Sequence, residues 1–335
     1  MAMLLNFTTD DLRPQDRFDH WCELRGRHLF GVTIELPRER RAAFQGRFVA
    51  APLGGATVSD LRASSYQVSR TRADIARVAG HSLCIGLQVR GPGWMSTGRG
   101  PALRVREGDL VVNHSDLPFT GTPMRADGFD FRALRIPLTP QLLLGAQADD
   151  LFAAPLASAS AFRRPLMALF QALTARPADV ADADAEVAHA ARLALLARGR
   201  LPPGLPESRA ALRAGLRHAA REILARDLRQ PRLSPASVAR ELGISLRQVH
   251  VLFEPTGLSF ARTLTALRLA DASRMLAAAP TRSVTDIAYR CGFDSIATFY
   301  RAFRAAYDMT PNDARAAARH PGGDPREQPA GACAH

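Results

Sequence analysis

Two stretches near the C-terminal end of the chain repeat one plan. "VARELGISLRQVHVLF" (238–253) and "IAYRCGFDSIATFYRAF" (287–303) both read as helix, glycine, helix. Val238-Ala239 corresponds to Ile287-Ala288, Gly243 to Gly292, Ser245 to Ser295 and Leu252-Phe253 to Ala302-Phe303, with one extra residue in the second turn. A glycine that ends a helix can take the left-handed conformation that turns the chain sharply. Ser245 followed by Gln248 has the spacing of a capping box, and Ser283 with Asp286 and Thr310 with Asp313 start helices in a similar way. The repeat therefore predicts two helical hairpins, each bent at its glycine.

Side-chain placement gives those hairpins a use. At ~3.6 residues per turn, Val249, Leu252 and Phe253 fall on an inner row of one second helix, and Phe299, Ala302 and Phe303 on that of the other. The opposite rows are Arg247, His250, Val251 and Glu254, and Ala297, Tyr300, Arg301 and Arg304. Charge concentrates in the same region. Residues 205–320 hold 18 arginines against 10 acidic residues, a net of +8, whereas the rest of the chain carries 26 against 22, a net of +4. A compact basic domain is the footprint of a polyanion partner. Helix-turn-helix units that lay their outer rows in the major groove of DNA are the expectation. Between them, "LSFARTLTALRLADASRMLAAA" (258–279) reads as one long amphipathic helix. Twenty residues at ~1.5 Å each span about 30 Å, close to the ~34 Å between successive major-groove faces.

The N-terminal part has a different pattern. "PQDRFDHWCELRGRHLF" (14–30) reads as a helix, and residues 44–136 as short alternating runs broken by turn residues, the mark of an antiparallel sandwich or barrel. Thr139-Pro140 opens helical sequence, with longer helices at about 158–174 and 184–198. "RGRLPPGLPES" (198–208) is the clearest linker, and "HPGGDPREQPAGACAH" (320–335) reads as a disordered tail. The fold class expected is α+β. Its domains are 1–200 (strands about 40–140, helices about 140–200), a linker at 201–207, a helical domain at 208–320, and a tail at 321–335. Apolar positions recur at helical spacing in the two long helices: Leu166, Leu169, Phe170 and Leu173, and Val187, Ala190, Ala191 and Leu195. One helix suffices to cover a barrel, so the second is expected to offer a partner face for a homodimer.

At the C-terminal end the order of residues is specific. Gly243-Ile244-Ser245, Leu252-Phe253, Gly257-Leu258-Ser259-Phe260, Arg268-Leu269, Ala272, Leu276, Ile287-Ala288, Gly292-Phe293, Phe299, Arg301-Ala302-Phe303, Thr310-Pro311 and Arg315 follow one another over about 110 residues. This run resembles the DNA-binding domain of the AraC/XylS family of transcriptional regulators. The strands, "GDLVV" and following helices resemble, more weakly, the cupin-like barrel that many members use for effector binding and dimerisation. The resemblance implies a sequence-specific regulator, ligand-responsive and activating. Double-stranded DNA, a small-molecule effector, a second copy of the chain and, for an activator, RNA polymerase would be its partners. A constitutive regulator whose N-terminal domain only dimerises is the alternative.

On this resemblance Arg247, His250, Val251, Ala297, Thr298, Tyr300 and Arg301 contact bases, and Ser245, Ser295, Arg304 and Arg315 contact phosphates. Tyr66, Trp94, Phe119 and Phe131 would line the effector cavity, with His81 or Arg90 as polar anchors. Two positions depart from the family pattern. Asp308 stands where glycine is usual before Thr310-Pro311, and Val251 where a polar or basic residue is common.

Other functions find no support in the residues. Four cysteines (Cys22, Cys84, Cys291, Cys333) form no C-x-x-C pair. His81 and His114 have no metal-ligand partner at short spacing, so neither a metal nor another cofactor is expected. Phosphate loops and nucleophile elbows are absent, and the reading is of a non-enzyme. With no apolar run of ~18 residues and no signal sequence, neither membrane partner nor export is expected, and a cytoplasmic location follows.

Overall fold

The computed structural model describes residues 5–254, 257–279 and 281–319. The tail expected at 321–335, with Cys333, lies outside the described residues. The chain divides into two compact units between Ala219 and Ala220.

The first unit is built on two antiparallel sheets rather than one closed barrel. The larger sheet runs, in spatial order, β1 (Leu5–Thr8), β3 (Gly46–Leu53), β4 (Ala56–Ala63), β11 (Phe129–Pro137), β6 (Ser82–Arg90), β9 (Leu110–His114) and β12 (Ala154–Pro155). The smaller runs β2 (Thr33–Glu35), β5 (Gln67–Arg70), β10 (Phe119–Pro123), β7 (Gly93–Ser96) and β8 (Leu103–Val105). Short helices punctuate the strands: α1 (Arg17–Trp21, prolonged by wider turns over Cys22–Phe30), α2 (Arg38–Arg41), α3 (Arg72–Arg77) and α4 (Pro140–Leu143). As the Thr139-Pro140 pair predicts, the Thr139 hydroxyl caps α4 by accepting from the Leu142 amide at 3.3 Å.

Alternation along the strands separates two environments. On β6, Leu83, Ile85 and Leu87 point to one face, while Cys84, Gly86 and Gln88 border a cavity on the other. On β11, Leu134 and Ile136 face the same way as Leu83, whereas Phe131, Ala133 and Arg135 border the cavity. The first face is covered by α5 (Arg163–Ala175) and α6 (Ala183–Ala197). Leu166, Leu169, Phe170, Leu173, Val187, Ala190, Ala191 and Leu195 are all buried in that core, within the chain itself. This corrects the expectation that one helix keeps these positions for a partner. A seven-stranded sheet is wide enough to bury both helices. Residues 201–207 pack on the same unit, with Leu201 buried in its core and Leu205 partly buried against it. From there α7 (Pro206–Asp227) carries the chain into the second unit.

The second unit comprises the end of α7 and six further helices: α8 (Pro235–Leu242), α9 (Leu246–Phe253), α10 (Phe260–Ala278), α11 (Val284–Arg290), α12 (Ile296–Tyr307) and α13 (Pro311–Arg319). Its central α10 is not a one-stripe amphipathic helix. Phe260, Thr263 and Leu264 are buried in its first turns and Leu269, Ala272 and Leu276 in its last. At ~100° per residue the two groups lie about half a turn apart. Each half serves a different hairpin. Phe260 meets Phe253 of α9 edge-on at 5.5 Å, while Leu269, Ala272 and Leu276 share a core with Ile287, Phe293, Phe299 and Phe303.

Candidate nucleic-acid interface and sheet cavity

Both repeats fold as helix-turn-helix units, and local chemistry explains each bend. Gly243 ends α8 at φ 66°, and the Ile244 amide donates back to the Ala239 carbonyl at 3.0 Å. Gly292 follows α11 at φ 85°, and the Phe293 amide donates to Ala288 at 3.1 Å. Ser245 then caps α9 in a reciprocal box. Its hydroxyl accepts from the Gln248 amide at 3.2 Å, and its own amide donates to Gln248 Oε1 at 2.8 Å. Ser295 caps α12 through its hydroxyl alone, accepting from the Thr298 amide at 3.4 Å. Asp308 takes the left-handed conformation after α12, φ 54°, which aspartate tolerates better than most residues.

The inner rows are buried: Val249, Leu252 and Phe253 on α9, Phe299 and Phe303 on α12. Outside, Arg247 and His250 are exposed and Val251 is half-buried. On α12, Ala297, Thr298, Arg301 and Arg304 are exposed, whereas Tyr300 is half-buried, its ring 6.0 Å from that of Phe299.

The arginines of this unit sort by partner. Arg226 pairs with Asp227 and Glu241, Arg229 and Arg274 with Asp271, and Arg282 and Arg290 with Asp286. Arg268 donates to the Leu228 and Gln230 carbonyls at 2.8 and 2.9 Å. Arg315 donates to the Arg282 carbonyl at 2.7 Å, which ties α13 to the start of α11 and commits part of a side chain expected at phosphate. Arg247 and Arg301 take part in no ion pair or side-chain hydrogen bond among the described residues. Such guanidiniums keep all their donors for an outside partner.

In the first unit, a cavity of about 220 Å³ lies between the two sheets. Of the residues that the sequence singles out, Tyr66, Trp94, Phe119 and Phe131 border it. His81 and Arg90 do not. Arg90 lies at the end of β6 and is held by Asp130 at 3.0 Å, and His81 precedes β6 at φ 36°. Arg25 also borders the cavity, and the sequence does not single it out; its one signal is the i,i+4 spacing from Trp21.

Strand pairing also makes a neighbourhood that sequence spacing hides. β6 against β9 brings His81, His114 and Asp149 within reach of one another, their nitrogen and oxygen atoms within 4.8 Å. Burial pushes the pKa of His114 down. Its Nδ1 accepts the Asp116 amide at 3.0 Å, which places the ring proton on Nε2, the nitrogen a metal would need. The cluster is therefore poorly suited to hold a metal. Nearby Asp116 is a structural anion. Burial opposes its charge, but the Gly80 and His81 amides, the Ser115 hydroxyl and Arg70 outweigh that and hold it at about 2.

Paired helix-turn-helix units with exposed outer rows define a DNA-binding protein of the transcription-regulator class. A helix-turn-helix domain model matches residues 238–317, and an AraC-binding-like domain model matches residues 21–201, more than half of the chain. The chain belongs to the AraC/XylS family of transcriptional regulators. It is similar to the HTH-type transcriptional activator RhaS of Citrobacter koseri, 44% identical over 80 residues, 24% of this chain and 28% of that protein. RhaS of Escherichia coli is 42% identical over the same share of each chain. The chain thus spans little more than a quarter of the length of these relatives. Among solved structures, the AraC-like transcriptional activator CuxR matches 82% of this chain and 96% of its own, at 18% identity and a TM-score of 0.47. Among the described residues, no helix is long and apolar enough to cross a membrane.

Proposed function

We propose that the chain is a ligand-responsive transcriptional activator, acting in the cytoplasm, whose two helix-turn-helix units read two adjacent major-groove segments. The observation that carries this reading is the pair of recognition helices with unengaged arginines, Arg247 on α9 and Arg301 on α12. Arg301 is the principal base reader, and Arg247, His250, Ala297, Thr298 and Tyr300 complete the base contacts. Val251 offers only an apolar contact, suited to a thymine methyl. Arg304, the helix-capping Ser245 and Ser295, and Arg315 position the phosphate backbone.

α10 sets the separation of the two units. Its 19 residues span about 28 Å at ~1.5 Å each. Activation is supported by likeness to relatives named as activators, and ligand response by the cavity between the sheets. Homodimerisation and contact with RNA polymerase complete the reading, the dimer using surfaces other than the buried faces of α5 and α6.

Genomic fragments bound by the full chain should yield a consensus with two sensitive segments one helical turn apart. Transcription from such a promoter should rise when the cognate small molecule is present. Sedimentation of the full chain should give a dimer. Transcription that ignores every metabolite supplied, with DNA binding intact, would favour the constitutive alternative.

A further inference from the structure

Three arginines, Arg25, Arg70 and Arg135, border the cavity, and the first two are in opposite states. Arg70 is saturated. Its Nε donates to the Ser115 carbonyl at 2.7 Å, Nη1 to Phe30 at 3.0 Å, and Nη2 to Val78 at 2.6 Å and to Asp116 at 3.2 Å. That side chain holds the fold. Arg25 is different. Its guanidinium sits among the rings of Phe30, Tyr66 and Trp21, at 5.3, 5.6 and 6.0 Å from their centroids. Yet its Nε and Nη1 are buried with no hydrogen-bond acceptor. The Tyr66 hydroxyl, also buried at the cavity, has only the indole N–H of Trp21 beside it, a donor, and so has no acceptor for its own proton. No aspartate or glutamate is among the residues that line the cavity.

A cation with two buried donors unpaired, beside a phenol with no acceptor and without an acid, lacks an anion. We infer that this cavity binds a small monocarboxylic acid with an apolar body, its carboxylate accepting from Arg25 and the Tyr66 hydroxyl. The inference rests on the reading of the first unit as a ligand sensor and names the class of ligand.

Size and lining select within the anions. A cavity of ~150 Å³ holds benzene, so about 220 Å³ takes one ring, or a short acyl chain, together with a carboxylate. Phe48, Leu61, Val68, Phe129 and Phe131 supply apolar walls that a phosphate or sulfate ester, with a larger hydrated head, would leave poorly covered. The rings around Arg25 hold its charge by cation–π contact, so the site is formed before the ligand arrives.

Calorimetry on the full chain with benzoate and hexanoate, each against its amide, tests the inference. At least one acid should bind, and bind about tenfold or more tighter than its amide, since a charge-assisted hydrogen bond replaces a neutral one. Arg25→Gln should remove that preference, and Tyr66→Phe should reduce acid affinity a few-fold. Amides that bind as tightly as the acids would overturn the assignment, as would acid affinity unchanged in Arg25→Gln. No heat from either acid at about 10 mM, with the chain folded, would overturn it too. Should Arg25→Gln fail to fold, the acid-against-amide comparison on the unaltered chain decides alone. Acid binding that leaves DNA affinity unchanged would support the site while removing the regulatory reading. A DNA response to the amides alone would do the reverse.

Discussion

The two helix-turn-helix units each cap their second helix with a serine and differ in what surrounds the bend. At Gly243 the space a Cβ would enter is open. At Gly292 a Cβ would lie 2.6 Å from the Leu228 carbonyl oxygen and 2.9 Å from Arg268 Nε. The first turn stands by itself, while the second is a tertiary junction. Arg268 bonds Leu228 there, and Asp271 lies 3.8 Å from the Cys291 thiol, which burial pushes up to about 12 and keeps inert. A repeat seen in sequence thus fixes the backbone conformation that both turns need, and says nothing of what each turn is wedged against. The outer rows differ as well, with Val251 half-buried on α9 and Arg301 exposed on α12.

The largest consequence falls on the glycines. Gly292→Ala must adopt a left-handed φ and also displace backbone, so a loss of about 3 kcal/mol is expected. Gly243→Ala carries the conformational cost alone, about 1 kcal/mol. Urea unfolding of the two variants measures the difference, and equal losses would erase the contrast between the turns.

Asp271 comes next. Its side chain is 5% exposed and bonds Arg229 at 2.8 Å and Arg274 at 3.0 Å. Asp271→Asn should cost about 2 kcal/mol, less than a fully buried pair because both arginines reach water. Hydrogen bonding to Arg229 holds this carboxyl below the usual carboxylate range. Its contribution is therefore complete above about pH 4, and is lost as pH falls through the lower folded value. The Asn variant should lack that acid-dependent step in an unfolding series.

On DNA, Arg301→Ala should weaken specific binding by about 1–3 kcal/mol and relax one guanine position. Val251→Ala should change it by about 0.5 kcal/mol or less, at a thymine if anywhere. A loss at Val251 equal to that at Arg301 would reverse the proposed division of labour. Arg304→Ala should lower affinity evenly over sequences and reduce the salt slope by about 1.

Much of this was legible from local patterns. Serine caps, glycine bends and inner rows are set by residues within a few positions of one another, and period-two runs marked β6 and β11. What stayed hidden depends on distant neighbours. The aromatic surroundings that leave Arg25 without an acceptor come from positions as far apart as Trp21 and Tyr66. Likewise, His81 meets His114 only because β6 pairs with β9. α10 reads as one stripe until its two ends are seen to serve different cores, and α6 reads as half-free until the width of the sheet is known.

The most direct test of two readers in one chain is a quantitative binding profile of the full chain on a selected operator, with every base pair substituted in turn. Sensitive positions should fall in two groups per chain, separated by about one helical turn of ~10 bp, and Arg301→Ala should abolish sensitivity at one guanine in one group only. A single group per chain, or a loss for Arg301→Ala that is equal on operator and random DNA, would contradict it.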